Sequence, residues 1–272
     1  MEKIALGLLT GLLLSSMTHA ECPYSFDAHP TQLAIYSLLQ EGNTTMLKPL
    51  VTTAAQQVSI SLPDMPQKYM ISSRNGIENL IQRISDHEVA AGDITIPNTG
   101  KLALELKIDR LTSQMKTPDN YYKFGVVIYG SSDQAPGQSD LMIELSLTNS
   151  AINSNPEAFI NIMGANIATH RWEASSYPLN LPLPAEYRVG LYLDQDKGRL
   201  GAIINGKDKG YISRKIPKHI DRIVIAPFVL SDLDPTNPLV GEMVAGSVIT
   251  DASQMKLKYP GGTRDICGVS LR

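Results

Sequence analysis

The chain has little of several features that would point directly to a function. It has 2 cysteines in 272 residues, a single tryptophan and a formal net charge of -3. A chain of this length can bury a full hydrophobic core, so it needs no mesh of disulfides. The net charge excludes a strongly basic protein of the kind that binds nucleic acid over its whole surface.

Common catalytic motifs are also missing. The histidines beyond the first twenty residues, His29, His87, His170 and His219, do not stand at the spacing of zinc ligands. There is no Gly-x-Ser-x-Gly nucleophile elbow and no glycine-rich phosphate loop. These absences disfavour zinc, acyl-transfer and nucleotide chemistry, and no cofactor is predicted apart from the calcium ion considered below.

The first twenty residues have the pattern of a secretory signal peptide. Lys3 precedes the mostly apolar stretch Ile4 to Leu14, and Thr18 and Ala20 stand at the -3 and -1 positions of a cleavage site. The stretch is too short to cross a bilayer as an ordinary helix, and no later run of about 18 apolar residues follows. We predict a signal peptide over 1–20, no membrane span and a secreted or periplasmic protein; the alternative is an uncleaved interfacial anchor.

The two cysteines lie near the two ends of the mature chain, at Cys22 and Cys267. Glu21 is unlike the small residue that precedes a lipidated cysteine, so we interpret Cys22 as a disulfide partner. In an oxidising compartment two thiols usually pair. A Cys22–Cys267 disulfide would make the terminal segments neighbours; free thiols or a bond to a second chain are the alternatives.

Most of the chain has the pattern of β-strands. Apolar residues occupy every second position from Leu102 to Ile108 and from Leu141 to Leu147, which is typical of strands with one buried face. Further strand patterns run over 124–129, 158–163, 188–193, 199–204, 209–213, 222–230 and 255–259. Short helices are predicted over 31–39 and 76–85. Many strands with few helices indicate an all-β sandwich or barrel.

Two consecutive hairpin signals lie in the segment YRVGLYLDQDKGRLGAIINGKDKGYI, residues 187–212. Gly198 ends one turn, and Asn205-Gly206 is the strongest two-residue hairpin signal. The segment, about a tenth of the chain, resembles a feature of concanavalin A-like sandwiches, which include laminin G-like, SPRY-like and legume-lectin-like domains. The resemblance implies an all-β fold, an antiparallel two-sheet jelly roll with one or two short helices, as a single domain over 21–272. The whole chain is also similar to a family of secreted bacterial proteins of unknown function, which implies no activity.

Some sandwiches of this type are glycoside hydrolases, with two or three acids on one strand face, typically as Glu-x-Asp-x-x-Glu. That motif is absent here. Glu105 and Asp109 share a strand face but have Lys107 between them, and Ser146 stands where an acid would follow Glu144. We interpret these acids as a solvated polar face. The hydrolase hypothesis requires that Glu105, Asp109 and Glu144 converge from neighbouring strands.

The single tryptophan, Trp172, suggests a ligand-binding site. In an extended segment His170 and Trp172 face the same side of a strand, and an aromatic ring beside polar groups is a common platform for sugars. We predict a ligand-binding group of His170, Trp172, Tyr122 and Glu144. The alternative is a half-buried tryptophan that packs a loop against the core.

The loop SDLDPTNP, residues 231–238, is rich in hard oxygen ligands. Calcium takes six to eight such oxygens, and Asp232, Asp234 and Asn237 are the candidate metal ligands. The alternative is a turn, because Asp and Asn before proline are ordinary turn formers.

The leading functional hypothesis is a secreted, non-catalytic, lectin-like recognition domain that binds a glycan or another surface ligand. It depends on a sandwich pattern without a catalytic constellation. The alternatives are a structural or adhesion protein that contacts another protein, which an unpaired edge strand would favour, and a glycoside hydrolase. No nucleic acid is expected as a partner.

Overall fold

The computed structural model describes most of the chain after residue 23. The described residues are 24–39, 47–86, 89–109, 115, 117–118, 120–134, 140–152 and 155–271. The predicted leader, Cys22 and His87 lie outside them. The signal peptide and the Cys22–Cys267 disulfide therefore stay predictions.

Two helices and sixteen strands occur in this part of the chain. The helices are α1 (Pro30–Leu39) and α2 (Arg74–Ser85). The strands are β1 (Lys48–Pro49), β2 (Val51–Ala54), β3 (Gln57–Ser61), β4 (Gln67–Met70), β5 (Ile94–Thr95), β6 (Lys101–Asp109), β7 (Tyr121–Ser131), β8 (Leu141–Ile152), β9 (Asn155–Asn166), β10 (Arg171–Pro178), β11 (Glu186–Asp194), β12 (Arg199–Ile204), β13 (Lys207–Ser213), β14 (Arg222–Asp232), β15 (Met243–Ile249) and β16 (Thr263–Asp265). Within the described residues, neither helix is long and apolar enough to cross a membrane.

The strands form two eight-stranded sheets. The first sheet has the order β1-β4-β14-β7-β8-β9-β10, with β5 paired to β14. The second sheet has the order β13-β12-β11-β6-β15-β3-β2, with β16 paired to β6. Only the β1–β4 and β16–β6 pairs among these are parallel. The predicted all-β fold, an antiparallel two-sheet concanavalin A-like sandwich with short helices, is confirmed.

One apolar core lies between the two sheets. Inward-facing side chains of β6 and β7 that are buried in it are Leu102, Leu104, Leu106, Ile108, Phe124, Val126 and Ile128. Burial of an aliphatic side chain stabilises the fold by about 1.5–3 kcal/mol. A shift of one residue in register would turn every such side chain outward, so the period-two pattern fixes which face each strand turns to the core.

The two predicted hairpins join β11, β12 and β13. Gly198 in the β11–β12 turn has φ 62°, and Asn205 and Gly206 between β12 and β13 have φ 53° and 69°. Positive φ at both central residues is the requirement of a type I′ turn, whose twist matches that of the flanking strands. The Asn-Gly pair therefore sets the pairing of β13 at the edge of the second sheet.

The helices cover part of the outer face of the first sheet. Buried residues of this second apolar layer include Leu33, Tyr36, Ile77, Leu80, Met70, Val224 and Ala226. In the described part of the chain the layer reaches Tyr129 of β7 and contains no residue of β8, β9 or β10. Among the described residues, this apolar layer thus does not extend over β8, β9 and β10.

A segment near the C-terminus, residues 251–262, lies over the outer face of the second sheet; we call it the strap. Its Met255, Leu257 and Tyr259 pack against a buried cluster of Ala103, Tyr192 and Ile203. The strand predicted over 255–259 is wrong. Its alternating apolar residues do face a sheet, but the N–H groups of Lys256 and Leu257 donate to the Glu105 carboxylate at 2.9 and 2.8 Å.

Glu105 is a fully buried carboxylate in the middle of β6. Its Oε1 accepts the two strap N–H groups, and its Oε2 lies 3.0 Å from Nη1 of Arg188 in β11. Arg188 also donates to Glu186, which is 49 % exposed, at 2.9 Å. A buried charge is costly unless it is paired and hydrogen-bonded. Glu105 meets both conditions and joins the strap to two strands.

We expect Glu105→Gln to lower the free energy of unfolding by about 3 kcal/mol, because it leaves Arg188 without its buried partner. The matched control is Glu186→Gln, which removes the exposed partner of the same Arg188 and should cost less than about 1 kcal/mol. Urea denaturation of both variants measures the difference. Equal losses would contradict the role assigned to the buried carboxylate.

Candidate functional site

Polar side chains cross the first sheet on the outer face that the helices leave open. Lys123 of β7 places Nζ 3.3 Å from Oε1 of Glu144 in β8. Ser146 of β8 is fully buried and donates from Oγ to the same Glu144 oxygen at 3.3 Å. Both members of the Lys123–Glu144 pair are about a quarter exposed. This end of the face therefore offers a charged pair that solvent or a ligand can reach.

The polar side chains continue over β9 and β10. Asn161 donates from Nδ2 to Oγ1 of Thr148 at 2.9 Å, and Ser176 donates from Oγ to Oδ1 of Asn161 at 2.6 Å. With Lys123, Glu144 and Ser146 these residues form what we call the polar band. It spans four adjacent strands, about 14 Å at the usual strand spacing.

The register of the strands explains why these residues share a face. Ser176 of β10 lies opposite Asn161 of β9, which lies opposite Ser146 of β8. Their neighbours along β8 and β9, such as Leu145 and Ile162, are buried in the core. Because side chains alternate between the faces of a sheet, the polar residues between them point outward.

Trp172 lies on the same outer face, on the edge strand β10. It pairs with Ala165 of β9 and shares its side of the strand with Ala174 and Ser176. The indole is 63 % exposed. Trp172 therefore does not pack a loop against the core, and its ring is available at the border of the polar band.

The predicted neighbours Trp172 and Glu144 are brought to one face of the first sheet. Glu144 lies opposite Met163 of β9, which lies opposite Ala174, two residues from Trp172. Two strand spacings separate β8 from β10, so the two residues lie on the order of 10 Å apart across the sheet. An extended ligand could reach both.

The structure does not place Tyr122 and His170 as predicted. Tyr122 is fully buried in the core, and its hydroxyl accepts from Nδ2 of Asn149. His170 is exposed, but it ends the β9–β10 turn with φ 51°. Its backbone is left-handed and not extended, so the alternation that placed it beside Trp172 does not apply.

The acids of the hydrolase hypothesis do not converge. Glu105 lies under the strap on the second sheet, and Asp109 of the same strand pairs with Lys107 at 2.8 Å. Glu144 lies on the opposite outer face of the sandwich. Asp140, four residues before Glu144, is about 13 Å away along an extended chain, beyond the roughly 6.5–9.5 Å of an inverting pair.

The predicted calcium ligands lie in a loop that is held by its own hydrogen bonds. Asn237 is buried and donates from Nδ2 to Oδ1 of Asn120 at 2.9 Å, while its Oδ1 accepts from the N–H of Leu239 at 2.9 Å. Asp234 accepts from Nδ2 of Asn120 at 2.9 Å. Asp232 ends β14 opposite Tyr121. The described residues contain no group of three acids, histidines or cysteines that could hold a metal; calcium binding stays a prediction.

Sequence reasoning missed Lys123, Thr148, Asn161 and Ser176 as site residues. β10 was not predicted as a strand, so its outward side had no assigned neighbours. The alternation of Trp172 with Ser176 in an eight-residue segment is the signal that could have found it.

Comparisons with known proteins add little about function. A family model described as "Domain of unknown function (DUF4882)" matches residues 174–269, about a third of the chain. No curated protein matches the chain.

Several solved structures have a similar arrangement of strands. One is a Bacteroides ovatus GH16 protein in complex with its product, at 12% identity, covering 84% of this chain and 93% of that one, with a TM-score of 0.41. Another is the CBM2 module of the evolved Dit of Lactobacillus casei BL23 phage J-1, at 12% identity, 82% and 85% coverage and a TM-score of 0.43. A legume lectin-like domain from Entamoeba histolytica has 8% identity, 73% and 84% coverage and a TM-score of 0.39. Similarities at this level carry no argument about function.

We expect the fluorescence of the single tryptophan to report an exposed indole. Because Trp172 is mostly in contact with water, its emission maximum should change little when the protein is unfolded in urea, and acrylamide should quench it efficiently in the native state. Emission spectra and quenching slopes measure both. A blue-shifted native emission that resists acrylamide would contradict the placement of Trp172.

Proposed function

We propose that the protein is a secreted, non-catalytic recognition domain that binds a glycan on the open outer face of the first sheet. The observation that carries the proposal is an exposed Trp172 at the border of a hydrogen-bonded polar band. The helices lie on the other half of this face. The site is thus a surface with one wall, and it fits an extended ligand better than a small enclosed one.

The chemistry of the polar band suits a sugar. Asn161 supplies an amide that both donates and accepts, and Thr148 and Ser176 supply hydroxyls that can do either. Ser146 is fully buried and donates to Glu144, so it holds the band in place from beneath. Sugar hydroxyls also donate and accept, so they can exchange hydrogen bonds with water for bonds with these groups. The existing bonds within the band hold the side chains in place, which lowers the entropy lost on binding.

The flat indole supplies the apolar part of such a site. An aromatic ring offers a large rigid area with little conformational entropy to lose. A pyranose ring has an apolar face that can lie on it, while a neighbouring sugar of the same chain reaches the polar band. The Lys123–Glu144 pair at the far end adds charged hydrogen-bonding groups, which are stronger than neutral ones.

A protein partner is the second candidate, and a sheet edge favours it. β2 (Val51–Ala54) ends the second sheet, all four of its side chains are exposed, and Val51 is 58 % exposed. An open edge can accept a strand of another chain. Because β13 at the other end of the second sheet lies beside β10, β2 is at the far side from Trp172. Substitutions in β2 and at Trp172 therefore distinguish a protein partner from a glycan.

We expect Trp172→Ala to weaken glycan binding about tenfold or more, because it removes the stacking surface of the site. Trp172→Phe should retain part of the affinity. Binding to a panel of soluble polysaccharides, measured by affinity electrophoresis and calorimetry, is the test.

The control is Met243→Ala, which truncates a different exposed apolar side chain on β15 of the second sheet. It should leave both glycan affinity and melting temperature unchanged. Wild-type protein that binds no polysaccharide in the panel, or equal losses for the two variants, would contradict the proposed function.

A further inference from the structure

Positive charge is concentrated in one segment of this weakly acidic chain. Residues 197–218 contain seven basic residues and one acid, a formal charge of +6. The whole chain has a formal charge of -3, which leaves -9 for the other residues. The basic residues are Lys197, Arg199, Lys207, Lys209, Arg214, Lys215 and Lys218. The small net charge of the chain therefore conceals a basic segment within an otherwise acidic protein.

The segment forms one side of the sandwich. It comprises β12, the edge strand β13 and the loop that follows it, and β13 lies beside β10, the edge strand of the first sheet. Nζ of Lys209 is 5.7 Å from the ring centre of Tyr177 in β10, and Nζ of Lys215 is 3.6 Å from Oε1 of Glu173. We call this side the basic edge. It adjoins the strand that carries Trp172.

Three further basic residues lie around the end of β13 that Lys215 follows, because Leu200, next to Arg199, pairs with Ser213. Lys197 and Arg199 lie over the ring of Tyr211, with Nζ at 5.9 Å and Cζ at 5.3 Å from its centre. Lys218 lies against Gly198 in the β11–β12 turn. At the strand rise of about 3.3 Å per residue, β13 alone gives the edge a length of about 20 Å.

Three acids near the basic edge accept hydrogen bonds within the protein, and with the exposed Asp196 they offset part of the positive charge of the segment. Asp208 accepts from the hydroxyl of Tyr192 at 2.9 Å, and buried Asp194 accepts from the hydroxyl of Tyr211. Glu173 accepts from the N–H of Arg214 at 2.6 Å, and this hydrogen bond, with Lys215 nearby, lowers the pKa of Glu173.

The ammonium groups themselves are accessible. The side chains of Lys197 and Lys215 are 56 % and 48 % exposed, even though each lies within 4 Å of an acid. Several like charges on one side repel each other within the screening length of about 8–10 Å. Such a patch attracts ligands of opposite charge and raises their local concentration.

We propose that the basic edge binds an acidic polysaccharide, whose sugars carry carboxylate or sulfate groups. The inference rests on the proposed glycan site, because β10 joins the two surfaces and presents Trp172 between them. A linear chain can then lie along the edge with one sugar on the indole. The negative charge of the rest of the surface disfavours a bulky polyanion such as duplex DNA, which would contact more than one side.

The experiment compares two triple variants of the full chain. The edge variant is Lys207→Gln, Lys209→Gln and Lys215→Gln. The matched control is Lys48→Gln, Lys256→Gln and Lys258→Gln, which removes the same charge from exposed lysines elsewhere. The probes are polygalacturonate, a neutral β-glucan and duplex DNA, with binding measured at about 0.1 M and about 1 M salt, where the screening length falls from about 10 Å to about 3 Å.

We expect polygalacturonate to bind wild type more tightly than the neutral glucan does. The edge variant should lose about tenfold in affinity for polygalacturonate, because each exposed charge contact contributes modestly and three are removed. The control should lose less than twofold. High salt should lower the affinity of the wild-type protein for polygalacturonate to that of the edge variant. Trp172→Ala should weaken binding of both polysaccharides.

The opposite results separate this inference from the proposed function. Neutral glucan binding that depends on Trp172, with no preference for polygalacturonate, would overturn the inference and leave the glycan site standing. Equal losses in the two triple variants, or DNA bound as tightly as polygalacturonate, would also overturn it. If neither polysaccharide binds, both proposals fall.

Discussion

The apolar contact between the two sheets is the interaction on which the rest of the structure depends. It turns every second side chain of the central strands inward, and so it decides which residues remain for the outer faces. Asn161 and Ser176 point outward because Ile162 and its neighbours are required in the core. The same constraint sends Glu105 to the outer face of β6. The polar band and the buried carboxylate are both consequences of one packing rule.

The outward-facing residues of the two sheets have three different surroundings. Two helices add a second apolar layer over half of the first sheet, so its outward residues there are Met70, Val224 and Ala226. The strap covers part of the second sheet, and the charge of Glu105 is neutralised by Arg188 and by backbone N–H groups. Solvent reaches part of the polar band: Ser176 is exposed and the Lys123–Glu144 pair is about a quarter exposed. In the described residues, neither the helices nor the strap cover this part of the first sheet, which makes it a natural place for a ligand.

Local patterns predicted the fold better than the site. Alternation over 102–108 and the Asn-Gly turn each depend on neighbours along the chain, and both are confirmed. The prediction for Tyr122 was wrong because the residues after it in β7 are almost all apolar. Such a run does not show whether the even- or the odd-numbered side chains face the core. The strand predicted over 255–259 failed because a side chain 151 residues away in sequence, Glu105, accepts hydrogen bonds from its backbone. The hydrogen bond of Asn237 with Asn120 was missed for the same reason, because the two residues are close in space but far apart in the sequence.

The basic edge also governs how copies of the protein meet one another. An open sheet edge can pair with the edge of another copy, and growth through both edges would give an endless fibre. Here β13 carries lysines and lies beside further positive charges, so two such edges repel. β2, with the sequence VTTA, has no charge of its own. Pairing between copies is therefore disfavoured at β13, whereas β2 carries no charge that would oppose it.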